Sequence, residues 1–242
     1  MRTDHTIFHG KKAVIFDMDG TLIDSIGVWT ETDRLLVREL TGKEPEVEVI
    51  HRLREESLRR FREEENPYLC YCGVLAEKYA PAMDAREVYE RRYAISQALL
   101  ERLDYKPGAD RLLRSLKAAG YILILATTTR RRTIELYETK NKNLMEKAPL
   151  DKMFDRIYTC EDVQKIKPDP EIYERIFADT GFRAGDCLVF EDSLAGVQAA
   201  KAAGIEVAAA YDRHSDGDRA AINALADFQV PDFAGLAQQL EL

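Results

Sequence analysis

Two aspartates at the end of a predicted strand are the residues of this chain best suited to chemistry. Asp17 and Asp19 follow residues 14–16, an apolar run with two β-branched members that predicts a short buried strand. Because they stand two positions apart, both side chains leave an extended backbone on the same side. Two carboxylates at one strand end repel each other and lose hydration. We therefore expect a cation or a chemical role at this point of the chain.

Three later stretches place polar side chains near predicted strand ends, where ligands bind in open α/β sheets. Each stretch alone has an ordinary alternative, since threonines and acidic pairs often begin helices and Lys-Pro often precedes one. Taken with the two aspartates, however, they make one site that combines several carboxylates, a lysine and hydroxyl groups. The residues are Thr127, Thr128, Lys167, Glu191 and Asp192.

Carboxylates outnumber cations in this predicted site. A hard divalent cation with oxygen ligands, most simply Mg²⁺, would offset the excess negative charge. A lysine and a hydroxyl beside such a cation suit the oxygens of a phosphoryl group. The residues alone therefore predict a Mg²⁺ site that binds a phosphorylated ligand.

The second half of the chain alternates between apolar strands and amphipathic helices. Near-continuous apolar strands separated by helices indicate a parallel sheet with helices on both faces. The first strand belongs to the same sheet, so we predict an α/β fold with a Rossmann-like, doubly wound parallel core. The later strands are predicted at residues 121–126, 156–159, 187–190 and 205–210, and one of the helices at 131–143.

An all-helical block interrupts this pattern after the first strand. It includes a highly charged helix, predicted at residues 47–65, whose acidic residues nearly balance its basic ones. We therefore divide the chain into a core of residues 1–25 and 106–242 and a helical cap domain of residues 26–105. Glycine-bearing connections on both sides of the block favour a lid that closes over the carboxyl ends of the strands.

The amino-acid composition argues against some classes of binding partner. The 242 residues carry a formal charge of −8, from 35 basic and 43 acidic residues, which argues against nucleic acid or an anionic membrane. We see no apolar secretory segment at the N-terminus and no apolar run long enough to span a bilayer. The four cysteines lack zinc-site spacing and suit a reducing compartment. We expect a cytoplasmic monomer that acts on a small phosphorylated metabolite.

The order of these motifs resembles the haloacid dehalogenase-like superfamily. The resemblance is carried by the sequence Asp-x-Asp-Gly-Thr at 17–21, by Thr127 after an apolar run, by Lys167-Pro168 and by Glu191-Asp192. The helical insertion and the segment at 189–204 resemble the β-phosphoglucomutase-like branch of that superfamily. The resemblance covers most of the predicted core, whereas the cap is similar by position and helical content.

This resemblance implies a phosphoric monoester hydrolase that works through a phosphoaspartyl intermediate. Asp17 would be the nucleophile, and Asp19 would act first as general acid and then as general base. Thr127 and Lys167 would hold the phosphoryl oxygens. The implied Mg²⁺ ligands are Asp17, the Asp19 carbonyl and Asp192, with Glu191 as a further ligand or a neighbour of one.

Three further residues bear on the substrate and the reaction. Arg130, Thr128 and Trp29 are candidate substrate contacts. A solvated or salt-bridged arginine is the ordinary alternative for Arg130, and a place in the core of the cap is the ordinary alternative for Trp29. Trp29 stands twelve residues after Asp17, where the mutases carry a histidine that couples lid closure to the acid–base aspartate. Because an indole cannot accept a hydrogen bond as imidazole can, we favour a phosphatase of a sugar or polyol phosphate over a phosphosugar mutase. A catalytically silent regulatory or binding protein on this fold is the alternative from another class.

Overall fold

The chain divides into two compact units in the computed structural model, which describes residues 7–61 and 64–240. One unit is assigned Met1–Ile26 and Arg102–Leu242, and the other Gly27–Glu101. None of the described helices is both long enough and apolar enough to cross a membrane. The closure of the helical unit as a lid stays a prediction.

In the first unit, the described residues form a six-stranded sheet in which all paired strands are parallel, in the order β3-β2-β1-β4-β5-β6. The predicted doubly wound α/β fold is therefore confirmed. Phe16 at the end of β1 pairs with Leu125 of β2 on one side and Phe190 of β4 on the other. This register brings the chain segments that leave the three strands to one edge of the sheet. The strands are β1 Ala13–Phe16, β2 Ile122–Ala126, β3 Arg156–Tyr158, β4 Cys187–Glu191, β5 Glu206–Ala210 and β6 Phe228–Val230.

Helices cover both faces of this sheet because successive strand residues point to opposite sides. On one face Ile15 and its neighbours form a core cluster with residues of α9, α10 and α11. On the other face Phe16 stacks on Phe190 with ring centroids 4.8 Å apart, and Phe190 meets Phe233 of α12. The helices of this unit are α5 Ala109–Ala118, α6 Arg131–Thr139, α7 Lys142–Lys147, α8 Leu150–Met153, α9 Glu171–Thr180, α10 Leu194–Ala202, α11 Arg219–Leu225 and α12 Phe233–Leu240.

Some elements differ from the prediction. The helix predicted at 131–143 is two helices, α6 and α7, because the Asn141 side chain accepts a hydrogen bond of 3.0 Å from the Leu144 N–H and starts a new helix there. The sequence reasoning also missed α8, α11 and β6. The strand β6 has only three residues and is an edge strand of the sheet, so it lacks the apolar run that marks a buried strand.

The second unit is helical, and its described residues form four helices. The side chains of Asp84 and Glu87 each accept a hydrogen bond from the other's backbone N–H at the start of α4, an arrangement that satisfies two of the free donors at a helix N-terminus. The predicted helix at 47–65 is observed as α2, which ends at Arg60, while residues 62–63 of that prediction lie outside the described residues. The four helices are α1 Val28–Thr41, α2 Val47–Arg60, α3 Pro67–Tyr79 and α4 Ala85–Leu100.

A buried carboxylate ties three of these helices together. Asp33 of α1 is fully buried and accepts hydrogen bonds of 2.9 Å from Arg54 Nη1 of α2 and of 2.7 Å from Arg92 Nε of α4. The Arg92 guanidinium also lies over aromatic rings of this unit, among them Tyr71 at 5.7 Å from the ring centroid. Since one carboxylate faces two buried guanidinium groups, the helices are held by a polar cluster as well as by their apolar faces.

Candidate active site

The predicted catalytic aspartates leave the central strand β1 at the edge where β2 and β4 also end. The backbone N–H of Asp17 donates a hydrogen bond of 3.0 Å to the Phe190 carbonyl and so continues the pairing one residue beyond the strand. Gly20 then turns the chain with a φ of +84°, a conformation that favours glycine. The turn keeps residues 17–21 beside the ends of β2 and β4, as the sequence predicts.

Lys167 is the cation of this site. Its Nζ donates hydrogen bonds of 2.7 Å to Asp17 Oδ1 and of 2.7 Å to the Ala126 carbonyl at the end of β2, and it also contacts Glu191. The ring of Tyr173 lies beneath the ammonium group, 5.8 Å from it. Burial lowers the pKa of Lys167, but the negative charges of Asp17 and Glu191 outweigh burial. The pKa of Lys167 therefore lies well above its ordinary value, and the lysine stays protonated. One buried ammonium group therefore links the ends of three strands.

Three carboxylates meet beside this lysine. Ligand oxygens of Asp17, Glu191 and Asp192 all lie within 4.8 Å of one another. Burial, followed by the charge of Glu191, raises the pKa of Asp17 to about 8, although Lys167 opposes the change. Burial and the charge of Asp17 raise the pKa of Asp192 to about 7, against a hydrogen bond from Thr21 that lowers it. The site therefore holds more carboxyl groups than its one ammonium group can keep ionised.

The donor set fits a hard divalent cation. All of the clustered ligand atoms are carboxylate oxygens, which Mg²⁺ prefers. Asp192 is also well oriented, since Oδ1 accepts a hydrogen bond of 2.8 Å from Thr21 and Oδ2 one of 3.2 Å from Ser215. Glu191 is packed so closely that a Cβ on Gly196 would lie 2.1 Å from its carboxyl carbon. These neighbours fix the acids near one another despite their repulsion.

Asp19 stands apart from the acidic cluster and is held by hydroxyl groups. Among the described residues, Ser25 donates to Oδ1 at 2.6 Å, Tyr137 donates to Oδ1 at 3.4 Å and Thr129 donates to Oδ2. Burial and the Asp19 charge hold the pKa of Tyr137 well above its ordinary value, so its phenol stays a donor. The sequence reasoning missed all three hydroxyl donors. Ser25 lies four residues after the sequence Asp-x-Asp-Gly-Thr at 17–21, and Thr129 directly follows Thr128, whereas Tyr137 has the pattern of an ordinary apolar position of a helix.

Thr127 lies at the predicted end of β2. It is 1% exposed, its N–H donates a hydrogen bond of 3.0 Å to the Tyr158 carbonyl, and its hydroxyl oxygen accepts one of 3.1 Å from the Thr129 N–H. The structure thus places Thr127 with Asp17, Lys167 and the two acids at the end of β4, Glu191 and Asp192, at one edge of the sheet.

Two of the candidate substrate contacts, Thr128 and Arg130, are not part of this buried group. Thr128 and Arg130 are exposed, and within the part of the chain that the structure describes the Arg130 side chain forms no hydrogen bond or ion pair. Arg131, by contrast, donates hydrogen bonds to the Ile157 carbonyl and to Asp162. Trp29 belongs to the helical unit, is 38% exposed, and has the Arg92 guanidinium 5.9 Å from its ring centroid.

The strand ends described above lie within the stretch that a known family shares. A family model for haloacid dehalogenase-like hydrolases matches residues 11–204, about four fifths of the sequence. The chain belongs to the haloacid dehalogenase-like hydrolases. The resemblance seen in the motifs is confirmed, and with it the prediction that the protein is an enzyme of the hydrolase class.

Individual members of the haloacid dehalogenase-like hydrolases are similar over most of the chain. A phosphorylated carbohydrates phosphatase of Thermotoga maritima is 35% identical over 81% of this chain and 82% of its own. Protein CbbY of Rhodobacter capsulatus is 29% identical over 94% of this chain and 96% of its own. A solved structure from Thermotoga maritima, provisionally named a β-phosphoglucomutase, is 28% identical with a TM-score of 0.76 over 95% of this chain and 98% of its own. The similarity to the β-phosphoglucomutase-like branch is therefore confirmed.

Proposed function

We propose that this protein is a Mg²⁺-dependent phosphatase that hydrolyses a small phosphate monoester through a phosphoaspartyl intermediate. The observation that carries the proposal is the buried group of three carboxylates around Lys167 at the edge where β1, β2 and β4 end. Such a group suits a dianionic phosphoryl ligand only when a divalent cation is also present. A phosphatase of phosphorylated carbohydrates among its relatives supports a sugar or polyol phosphate as the substrate.

Asp17 is the proposed nucleophile because one of its carboxylate oxygens accepts a hydrogen bond from Lys167 and the other is available to attack phosphorus. Lys167 engages Oδ1, whereas Oδ2 accepts no hydrogen bond from residues 7–61 or 64–240. In the first step Oδ2 forms a bond to phosphorus as the bond from phosphorus to the ester oxygen breaks. Lys167 and Thr127 would bind the non-bridging oxygens and stabilise the charge on them.

Asp19 is the proposed acid and base. It would give a proton to the leaving ester oxygen and later take one from the water that attacks the phosphoaspartate, which restores Asp17. The hydroxyl groups of Ser25, Thr129 and Tyr137 hold the carboxyl group in place. Serine and threonine hydroxyls can rotate between donating and accepting, so they suit a carboxyl group that changes its protonation state.

The metal would be held by Asp17, Asp192 and the Asp19 carbonyl, with Glu191 close to these ligands. When bound, Mg²⁺ supplies positive charge between the anionic nucleophile and the phosphoryl oxygens. Glu191 already contacts Lys167, so we propose that the main role of Glu191 is to hold the Lys167 side chain in place.

The proposal is tested with Asp17→Asn and a panel of phosphorylated metabolites in the presence of Mg²⁺. We expect phosphate release to fall by more than about 10³-fold, as nucleophile replacements commonly do, and EDTA to abolish the wild-type rate. Asp24→Asn is the matched control, because Asp24 is an exposed aspartate just beyond the same loop. Retention of most activity by Asp17→Asn would contradict the nucleophile, and activity that resists EDTA would contradict the metal.

A phosphosugar mutase is the second candidate, because a solved neighbour carries that provisional name. The indole of Trp29, at the position of the mutase histidine, favours hydrolysis because it cannot accept a hydrogen bond. Incubation with β-glucose 1-phosphate and a trace of glucose 1,6-bisphosphate separates the two reactions. We expect phosphate release to exceed the formation of glucose 6-phosphate, and dominant isomerisation of any sugar phosphate would overturn the phosphatase.

A further inference from the structure

A largely buried ion pair lies next to the proposed metal site, outside the residues discussed so far. Lys106 Nζ is 2.6 Å from Asp212 Oδ2, and the side chains are 13% and 2% exposed. Lys106 precedes α5, and Asp212 follows β5 at the edge of the sheet where the catalytic segments lie. Neither residue belongs to the motifs that carry the family resemblance.

The pair joins two backbone segments. Lys106 Nζ donates hydrogen bonds to the Gly20 carbonyl and, at 2.9 Å, to the Tyr211 carbonyl. Asp212 Oδ1 accepts a hydrogen bond of 2.8 Å from the His214 N–H, which fixes the start of a short 3₁₀ helix at Arg213–Asp218. Lys106 therefore holds the loop after Asp19, and Asp212 holds the segment that follows β5.

The same two segments hold the carboxylate of Asp192. Thr21, next to Gly20, donates to Asp192 Oδ1 at 2.8 Å, and Ser215, in the 3₁₀ helix, donates to Oδ2 at 3.2 Å. Gly20 itself is so close that a Cβ there would lie 2.5 Å from Asp192 Oδ2. A shift of either segment would rotate or release the carboxylate.

Stability does not by itself account for burying this pair. The cost of removing two charges from water is of the same order as their attraction, so a buried ion pair adds little net stability over apolar residues of similar volume. We propose that Lys106 and Asp212 are positioning residues that hold Asp192 as a metal ligand by tying the loop at Gly20 and Thr21 to the segment that carries Ser215. This inference rests on the proposed function, because it takes Asp192 to bind the metal.

Direct metal binding tests the proposal without reference to turnover. Binding of Mn²⁺, an oxygen-preferring probe, is measured from the electron paramagnetic resonance signal of the free ion. The main variant is Lys106→Met combined with Asp212→Asn, which removes both charges together and leaves neither one buried alone. We expect Mn²⁺ affinity to fall about 10-fold in this variant and in Ser215→Ala, as replacements of residues around metal ligands commonly cause. Ser215→Ala removes one partly exposed hydroxyl group, and thermal unfolding in EDTA verifies that each variant is folded.

Lys201 and Asp227 provide the matched control. Their ion pair of 2.7 Å lies at the opposite end of β5, where Asp227 also accepts a hydrogen bond from the Val207 N–H. Lys201→Met with Asp227→Asn should leave Mn²⁺ affinity unchanged. Wild-type affinity in the Lys106/Asp212 variant, while Asp192→Ala loses binding, would overturn this inference alone. Undiminished binding by Asp192→Ala would overturn the proposed metal site, and this inference with it.

Discussion

The Nζ atom of Lys167 lies 2.7 Å from Oδ1 of Asp17, and each of the two residues is 8% exposed. The lysine lowers the pKa of the aspartate, yet burial and Glu191 outweigh it and the pKa of Asp17 rises to about 8. The ionised carboxylate of Asp17 is therefore destabilised in these surroundings unless a further positive charge is bound nearby. The same surroundings determine how the stability of the protein depends on pH.

Replacement of Asp17 by asparagine should stabilise the metal-free protein. The folded-state pKa of about 8 lies above the ordinary value of 3.8, so Asp17 costs stability progressively as pH rises from about 4 to about 8. An asparagine side chain has the shape of the neutral acid and carries no such cost. We expect the gain in unfolding free energy of Asp17→Asn over wild type to grow between pH 5 and pH 8, measured by urea unfolding in EDTA.

Asp155 serves as the control of opposite sign for this measurement. Burial raises the pKa of Asp155, but hydrogen bonds from Lys117 and the Leu123 N–H outweigh burial, and the pKa is lowered. Its ionised form therefore stabilises the fold above the unfolded pKa, and Asp155→Asn should be less stable than wild type at pH 7. If the difference in unfolding free energy between Asp17→Asn and wild type does not change with pH, the predicted cost of burying the ionised Asp17 side chain is contradicted.

Metal binding should release protons. Because the pKa of Asp17 is raised to about 8 and that of Asp192 to about 7, both acids are partly protonated in the metal-free protein near neutral pH. A bound divalent cation requires them ionised, so the apparent affinity for Mg²⁺ should rise from pH 6 to pH 8 and then level off. Calorimetry in buffers of different ionisation enthalpy counts the protons, and a pH-independent affinity without proton release would contradict this.

The hydroxyl groups around Asp19 should matter to turnover. Thr129→Val removes a hydrogen bond to Oδ2, and Tyr137→Phe removes one to Oδ1. Hydrogen bonds to a charged group contribute about 1.5–3 kcal/mol, so we expect kcat to fall about 10-fold or more in Thr129→Val and less in Tyr137→Phe, whose bond is longer. Tyr158→Phe is the control, since its hydroxyl group bonds Asp179, away from Asp19. An unchanged kcat in Thr129→Val would contradict the positioning of Asp19 by these groups.

Arg130 is predicted to bind the part of the substrate beyond its phosphoryl group. Its side chain is exposed and forms no ion pair with the described residues, so no intramolecular contact accounts for its charge at the start of α6. Arg130→Ala should raise KM about 10-fold for the best substrate of the metabolite panel and less for para-nitrophenyl phosphate, which lacks that part. Arg131→Ala is the control, because Arg131 bonds Ile157 and Asp162 instead. Equal effects on both substrates would indicate an ordinary surface arginine.

The buried cluster in the helical unit should be essential to its stability. Asp33→Ala would leave Arg54 and Arg92 buried without their shared carboxylate, which commonly costs about 3–5 kcal/mol. Glu39→Ala is the control, since its ion pair with Arg91 is about half exposed and should be worth about 0–1 kcal/mol. Chemical unfolding of both variants gives the comparison, and a loss for Asp33→Ala no larger than the control's would contradict the prediction.

The pattern of apolar and polar residues was enough to predict the class of fold and the polar residues that follow three of its strands. Apolar runs bounded by polar residues predict buried parallel strands, and the polar residues that follow them necessarily reach one edge of the sheet. Asp17, Thr127 and Asp192 directly follow β1, β2 and β4, so their place at that edge could be predicted for that reason. Asn141 shows a limit of prediction from periodicity. Its side chain caps a second helix, so the single helix predicted at residues 131–143 is two helices in the structure.

The groups that support those residues could be identified only from the folded structure. Tyr137 reaches Asp19 from a helix that begins more than a hundred residues later, and Lys106 reaches Asp212 across a similar span. Neither partner has a local sequence signature, because a hydrogen bond between distant segments depends on how helices and loops are placed on the sheet. Periodicity and motif spacing describe neighbours along the chain, whereas burial and charge pairing arise between segments that meet only when the chain is folded.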